Sequence, residues 1–294
     1  MKYFICPGAQ KAGTTSLYDI LAKHPLICLT STKESKYFLN NIKQVNEKDY
    51  LNIYFPNLNH QEILGEIDPE LIYYPDCAEK IFKTLGKSVQ FVFMLRNPVD
   101  RAYSHYWMSY RRGFELKSFE DAIIAEHDRL KACSKHNIWH FSYVDRGFYY
   151  KQIKRYLKFF NLSQMKFILF EDFIKDQGKF IKDILDFLEL DPVQIDLNNL
   201  KIKSNVSGLP KSLLLSKIHG QPLKIKKVVK TIFPFRDIRW KIYPLIEKWN
   251  ISNQRPPQIN PETRKNLINK FKEDIKQLEE LIQEDLSHWF RIDD

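Results

Sequence analysis

Pro7-Gly8-Ala9-Gln10-Lys11-Ala12-Gly13-Thr14-Thr15-Ser16-Leu17 follows directly on the apolar run Tyr3-Phe4-Ile5-Cys6. The order is strand, glycine-bearing loop, helix. Glycines let a backbone approach an anion closely, and the first amides of the following helix aim unsatisfied hydrogens and the positive end of its dipole at the same spot. The stretch therefore predicts a bound anion of phosphate size. Its lysine is displaced from the usual place. A nucleoside-triphosphate loop reads GxxxxGK[ST], with the lysine directly after the second glycine. Here Lys11 stands two residues before Gly13, and Thr14 holds the lysine's position.

A second junction of the same kind lies at 89–106, Val-Gln-Phe-Val-Phe-Met-Leu-Arg-Asn-Pro-Val-Asp-Arg-Ala-Tyr-Ser-His-Tyr. A nearly all-apolar run ends in Arg96, with Asn97 and Pro98 as cap and first helical residue. Along the chain, strands are expected at Tyr3 to Cys6, Gln61 to Gly65, Gln90 to Leu95 and Lys166 to Phe170. Helices are expected from Thr14 to Lys23, Pro98 past Tyr110, Phe119 to Leu130, Tyr149 to Phe160, Phe180 to Leu188, and onward from Asn260-Pro261. This alternation predicts an α/β fold with a central parallel sheet flanked by helices on both faces, its ligands bound at the carboxyl ends of the strands.

The two junctions resemble the 5'-phosphosulfate loop (PGxxKxGTTxL) and the 3'-phosphate signature (LRNPxxRAxSxY) of sulfotransferases that use 3'-phosphoadenosine 5'-phosphosulfate (PAPS). The resemblance implies a single P-loop-like domain that moves a sulfuryl group in line from PAPS to a hydroxyl or nitrogen of a small-molecule or saccharide acceptor, with no metal. On this reading Lys11 meets the bridging and sulfuryl oxygens and stabilises the leaving group. Gln10, Ala12, Gly13, Thr14, Thr15 and Ser16 complete the 5' site, and Arg96 with Ser104 grips the 3'-phosphate. Ser207, Gly208 and Lys211 fall where the family closes a loop over that phosphate. Arg101 is left open between the donor and an ion pair such as one with Asp100.

For the base, Ser31-Thr32-Lys33-Glu34-Ser35-Lys36-Tyr37-Phe38 resembles the KExxFF-like turn of the heparan sulfate type enzymes, whose glutamate maps onto Glu34. Gly65-Glu66-Ile67-Asp68-Pro69 resembles the family's GEKTPxY segment, with Ile67 where lysine is expected. That donor-side contact is then missing or supplied elsewhere, Lys36 being one source. Glu66 and Asp68 stay open as acceptor contacts or base. His105 is the remaining base candidate, against a packing role, and His140 could line an acceptor pocket.

The 294 residues read as one domain, a donor-binding core over 1–190 and a helical, basic part over 191–294, with no linker or repeat. The four cysteines lack metal or disulfide spacing. No apolar run approaches the roughly 20 residues that span a bilayer, and the first strand begins at residue 3, so the expectation is a bacterial, cytoplasmic protein. The net charge of +10 is concentrated between Lys201 and Asn250. Such a patch could steer polyanionic PAPS or be a solvated face, and Lys224 to Lys230 could lie on a membrane surface. Two rival readings meet obstacles in the same residues. A phosphate-loop kinase or hydrolase needs a lysine after Gly13 and a magnesium-binding aspartate, where this chain has Thr14 and Arg96. A basic nucleic-acid or membrane module leaves the two phosphate motifs unexplained, and no nucleic acid is expected as a partner. Oligomeric state is not legible in the sequence.

Overall fold

The computed structural model describes residues 2–40, 46–191, 208–220 and 249–292. In chain order the elements are β1 (Lys2–Cys6), α1 (Thr14–Leu21), β2 (Ile27–Leu29), α2 (Glu47–Tyr54), β3 (Ile63–Ile67), α3 (Cys77–Leu85), β4 (Gln90–Leu95) and α4 (Pro98–Arg111). There follow α5 (Phe119–Lys131), α6 (Lys135–Phe141), α7 (Tyr149–Tyr156), β5 (Met165–Leu169), α8 (Phe170–Phe173), α9 (Gln177–Phe187), α10 (Leu213–Gly220) and α11 (Pro261–Ile282). Among the described residues, 2–40, 46–97, 148–191 and 274–286 form one compact unit, and 98–147, 208–220, 249–273 and 287–292 a second.

The first unit carries a five-stranded sheet in the order β2-β3-β1-β4-β5 with every pairing parallel. All five residues of β3 are buried, as are Phe91 to Leu95 of β4. Burial on both strand faces is what a parallel sheet covered by helices requires, and it explains the unbroken apolar runs that made β1 and β4 legible. Gly65 sits where β3 is most crowded. A Cβ there would run into the Phe4 ring and meet Leu29 Cδ2 at 2.6 Å, so the strand tolerates only glycine between its two neighbours. At the far end of the unit, the Asp274 carboxylate accepts from the first amides of α7, Tyr150 at 3.0 Å and Lys151 at 3.1 Å.

The second unit holds α4 to α6. Ser118 and Ser134 cap α5 and α6 by accepting from Asp121 and Asn137, both at 3.1 Å. Buried Glu115 takes both guanidinium arms of Arg129, at 2.5 and 3.1 Å, and the Tyr143 hydroxyl at 3.0 Å. Arg101 does not pair with Asp100. It is fully buried and donates to the Tyr143 carbonyl, while Asp100 pairs with Arg264 at 2.5 Å.

Of the helices, α7 ends at Tyr156 instead of Phe160 and α9 starts at Gln177 instead of Phe180, and three expectations for the sheet shift. β3 lies two residues later than its apolar start suggested, Phe170 opens α8 instead of ending β5, and the short β2 was not foreseen. The helical spacing of Leu267, Phe271, Ile275, Leu278 and Ile282 predicts one packed stripe on α11; the first four are buried and Ile282 is half-buried. Ser207 and most of the basic stretch 201–250 lie outside the described residues.

Candidate functional site

In the first unit the chemically interesting groups follow the carboxyl ends of the parallel strands, where open α/β sheets bind ligands. After β1, the Ala9 amide donates to Met94 at 2.5 Å and the Met94 amide to Gly8 at 2.7 Å, so the loop leaves the sheet still tied to β4. Gly8 packs against Ile72, leaving no room for a Cβ. Lys11 takes a left-handed conformation (φ 73), as does Gly13 (φ 87) at the head of α1. At Gly13 a side chain would also meet the Phe170 ring at 2.8 Å. Gly13 stands as the N-cap of α1, whose first amides, from Thr14 to Ser16, lie at the positive end of the helix, the arrangement that holds phosphates elsewhere. Gln10 donates to the Glu70 carboxylate at 2.8 Å, which secures the loop from the β3 side.

Arg96, following β4, bridges to this loop. Its guanidinium donates to the Lys11 carbonyl at 3.1 Å and lies 4.9 Å from the centre of the Phe170 ring, while its own carbonyl accepts from Tyr149 at 2.9 Å. The guanidinium is thus oriented by one hydrogen bond and one ring, with further N–H donors in its fork. The turn after β2 contributes two more cations, and they divide. Lys33 donates to the Thr15 hydroxyl at 2.7 Å. Lys36 reaches Glu34 and Asp68, each at 3.1 Å.

The acids form a graded set. Glu66, 1% exposed, accepts from the Ser35 hydroxyl and from Tyr50 at 2.6 Å, and burial pushes its carboxyl up to about 7. Asp68 is fully buried and pushed up to about 6 by burial, against the pull of Lys36. It also accepts from the amides of Lys36 and Glu70. Burial works against the Lys36 ammonium, but Asp68, Glu34 and Glu70 together outweigh it and hold the amine above its usual value. Glu34 differs from the other two acids. Its side chain is 36% exposed, and its backbone, like that of Lys36, takes φ 59. Two non-glycine residues in this sparsely populated region within one turn mark it as held by its surroundings. The holders are Glu66 on Ser35, Tyr54 on the Ser35 carbonyl at 3.1 Å and Asp68 on the Lys36 amide.

The first unit thus brings together Gln10 to Ser16, Arg96, Glu34, Glu66 and Asp68. Ser104, His105, Gly208 and Lys211 belong to the second unit. His105 there is 0% exposed, with a ring nitrogen 3.0 Å from the Trp139 carbonyl and its edge against Tyr143. The Gly208 carbonyl accepts from Arg111, and the Lys211 ammonium lies 5.6 Å from the Trp249 ring. His140 stacks on Phe114 at 3.8 Å. Sequence reasoning missed Lys33, Ser35, Tyr50 and Glu70 as parts of the site. Lys33 was visible only as a flanking charge, and Tyr50 lies on a helix whose sparse apolar residues give no clear period.

A glycine-turned loop at the head of a helix, at the carboxyl ends of parallel strands and ringed by lysine and arginine, defines an α/β protein of the phosphate-loop class. The chain belongs to the sulfotransferase family: the family model described as "Sulfotransferase domain" matches residues 2–205. It is 35% identical over 139 residues to the membrane-associated sulfotransferase kil1 of Dictyostelium discoideum, covering 44% of this chain and 29% of that protein. It is 24% identical over 248 residues to heparan sulfate glucosamine 3-O-sulfotransferase 3A1 of Mus musculus, covering 81% of this chain and 61% of that protein. The chain therefore spans less than two thirds of these relatives' length. Its fold is that of a sulfotransferase from Alicyclobacillus acidocaldarius, with TM-score 0.71, 24% identity and 99% of both chains covered. Among the described residues no helix is long and apolar enough to cross a membrane, and no group of three or more His, Cys, Asp or Glu is placed to hold a metal ion.

Proposed function

We propose that this chain transfers a sulfuryl group from PAPS to a hydroxyl or nitrogen of a small-molecule or saccharide acceptor. The observation that carries the reading is the Gly13 turn at the head of α1, beside which Lys33 donates to Thr15 and Arg96 to the Lys11 carbonyl. A donor with phosphate groups at both ends of a nucleoside needs such a concentration of amides and cations. PAPS supplies the activated sulfuryl group. The chain's residues bind and orient it, and Lys11 meets the charge that develops on the departing phosphate oxygen.

Glu34 is the base in this proposal. Of the three carboxylates at the strand ends it alone is substantially exposed, whereas Glu66 and Asp68 are sealed from an incoming acceptor. A base must come within hydrogen-bond reach of the proton it takes. Lys36, at 3.1 Å, keeps the Glu34 carboxylate oriented. His105, enclosed within the second unit, has a packing role. The saccharide end of the acceptor range draws support from the mouse relative, whose name states a heparan sulfate glucosamine substrate. Cytoplasmic residence in a bacterium belongs to the same proposal and draws support from four cysteines that are all unpaired.

Calorimetric titration with 3'-phosphoadenosine 5'-phosphate (PAP), beside ATP with magnesium, tests the reading. PAP binding at least tenfold tighter than ATP is expected. Preference for ATP returns the chain to the kinase class.

A further inference from the structure

The KExxFF-like turn carries two lysines, and the structure gives them opposite surroundings. The Lys36 ammonium is 3.1 Å from two carboxylates, Glu34 and Asp68, the second of them fully buried. Its charge is already balanced by acids on either side, so it is poorly suited to a donor phosphate. Lys33, three residues earlier, forms no ion pair among the described residues. Its ammonium donates instead to Thr15 Oγ1 at 2.7 Å, on the first turn of α1, and lies 5.6 Å from the centre of the Tyr18 ring. Meanwhile Ile67 is completely buried at the end of β3 and offers nothing to an anion.

We infer that Lys33 is a second donor-contacting cation, seated with Thr15 at the 5'-phosphate and supplying the positive charge that Ile67 does not. The inference rests on the donor reading above. Its chemistry follows from the hydrogen-bond inventory. An ammonium has three donors and Thr15 takes one, leaving two for phosphate oxygens. Because the Thr15 oxygen accepts from Lys33, its own hydrogen is turned outward and can be donated to the same phosphate. Burial also holds the Lys33 amine below its ordinary value, against the pull of Glu34 and Asp19. An anion that restores its electrostatic balance would thus be favoured at this position. The division of labour is then clear: Lys33 serves the donor, and Lys36 serves Glu34.

The test is titration of wild type, Lys33→Met, Lys33→Gln and Lys36→Met with PAP and with adenosine 3'-phosphate, which lacks the 5' group. Both Lys33 variants are expected to lose PAP affinity about tenfold while binding adenosine 3'-phosphate within twofold of wild type. Lys36→Met is expected to keep PAP affinity within twofold. A loss for PAP smaller than threefold in both Lys33 variants overturns the inference. An equal loss for both ligands also overturns it, since that is the signature of a lysine that only braces the loop. Wild type that does not bind PAP removes the donor reading itself, and this inference with it.

Discussion

Glu34 and Glu66 both lie in the first unit, and exposure separates them. With Glu34 as the proposed base, Glu34→Gln should lower kcat by about 100-fold or more while PAP affinity stays within threefold, because general bases contribute roughly 10²–10⁴-fold. Initial rates with PAPS, paired with PAP titration, check both halves. Glu66 holds the turn through Ser35 and Tyr50. Its carboxyl sits at about 7 against an ordinary 4.5, chiefly through burial. An acid held high binds its proton more tightly in the folded state than in the unfolded one. Its burial therefore costs nothing below the unfolded value, and the cost grows as pH rises through the folded one. Relative to wild type, Glu66→Gln should gain stability as pH rises from 4.5 to 7. The gain is bounded at about 3 kcal/mol. Denaturant midpoints across that range measure it, and a constant difference between the two proteins would contradict the assignment.

Among the secondary-structure elements, the central parallel strands set what the site can be. β3 delivers Glu66 inside the sheet and Asp68 just beyond it only because Gly65 lets the strand pass between Phe4 and Leu29. Gly65→Ala should cost about 2 kcal/mol, the range expected for overpacking a filled core, and lower the melting temperature accordingly. Because β3 cannot shift without carrying Asp68 along, the same variant should also weaken the Lys36 pair and reduce kcat beyond any loss of folded protein. Thermal melts and activity per folded molecule separate the two effects.

Across the entire chain the net charge is +10, and its excess resides in 201–250. PAP is polyanionic, so its association rate should fall steeply between about 50 and 500 mM salt, as a screened field requires. Replacing Lys224, Lys226, Lys227 and Lys230 together by Gln should flatten that dependence and leave the dissociation rate nearly unchanged. Stopped-flow binding at several ionic strengths decides it. A salt slope unchanged in the fourfold variant would assign the field to Lys11, Lys33 and Arg96 instead.

The α/β class, the glycine-bearing loop after β1 and the second junction at Arg96 were readable from the chain alone because they rest on local order. An apolar run, a glycine at a positive-φ turn and a proline-started helix each leave their mark within a few residues. The start of β3 and the existence of β2 were harder to read. A three-residue strand has too little length for a period, and β3 is recognised by its pairing with β1 and β2, not by its composition. The candidate residues of the loop were likewise legible one by one, but their division of labour was not. Lys33 and Lys36 are chemically alike and three residues apart, and so are equivalent in sequence. Only the folded chain sends one to Thr15 on α1 and the other to Asp68 after β3, because partners brought together by sheet order are remote along the chain. Burial decided the rest: Glu34, Glu66 and Asp68 are three similar acids until packing closes over two of them and leaves one exposed.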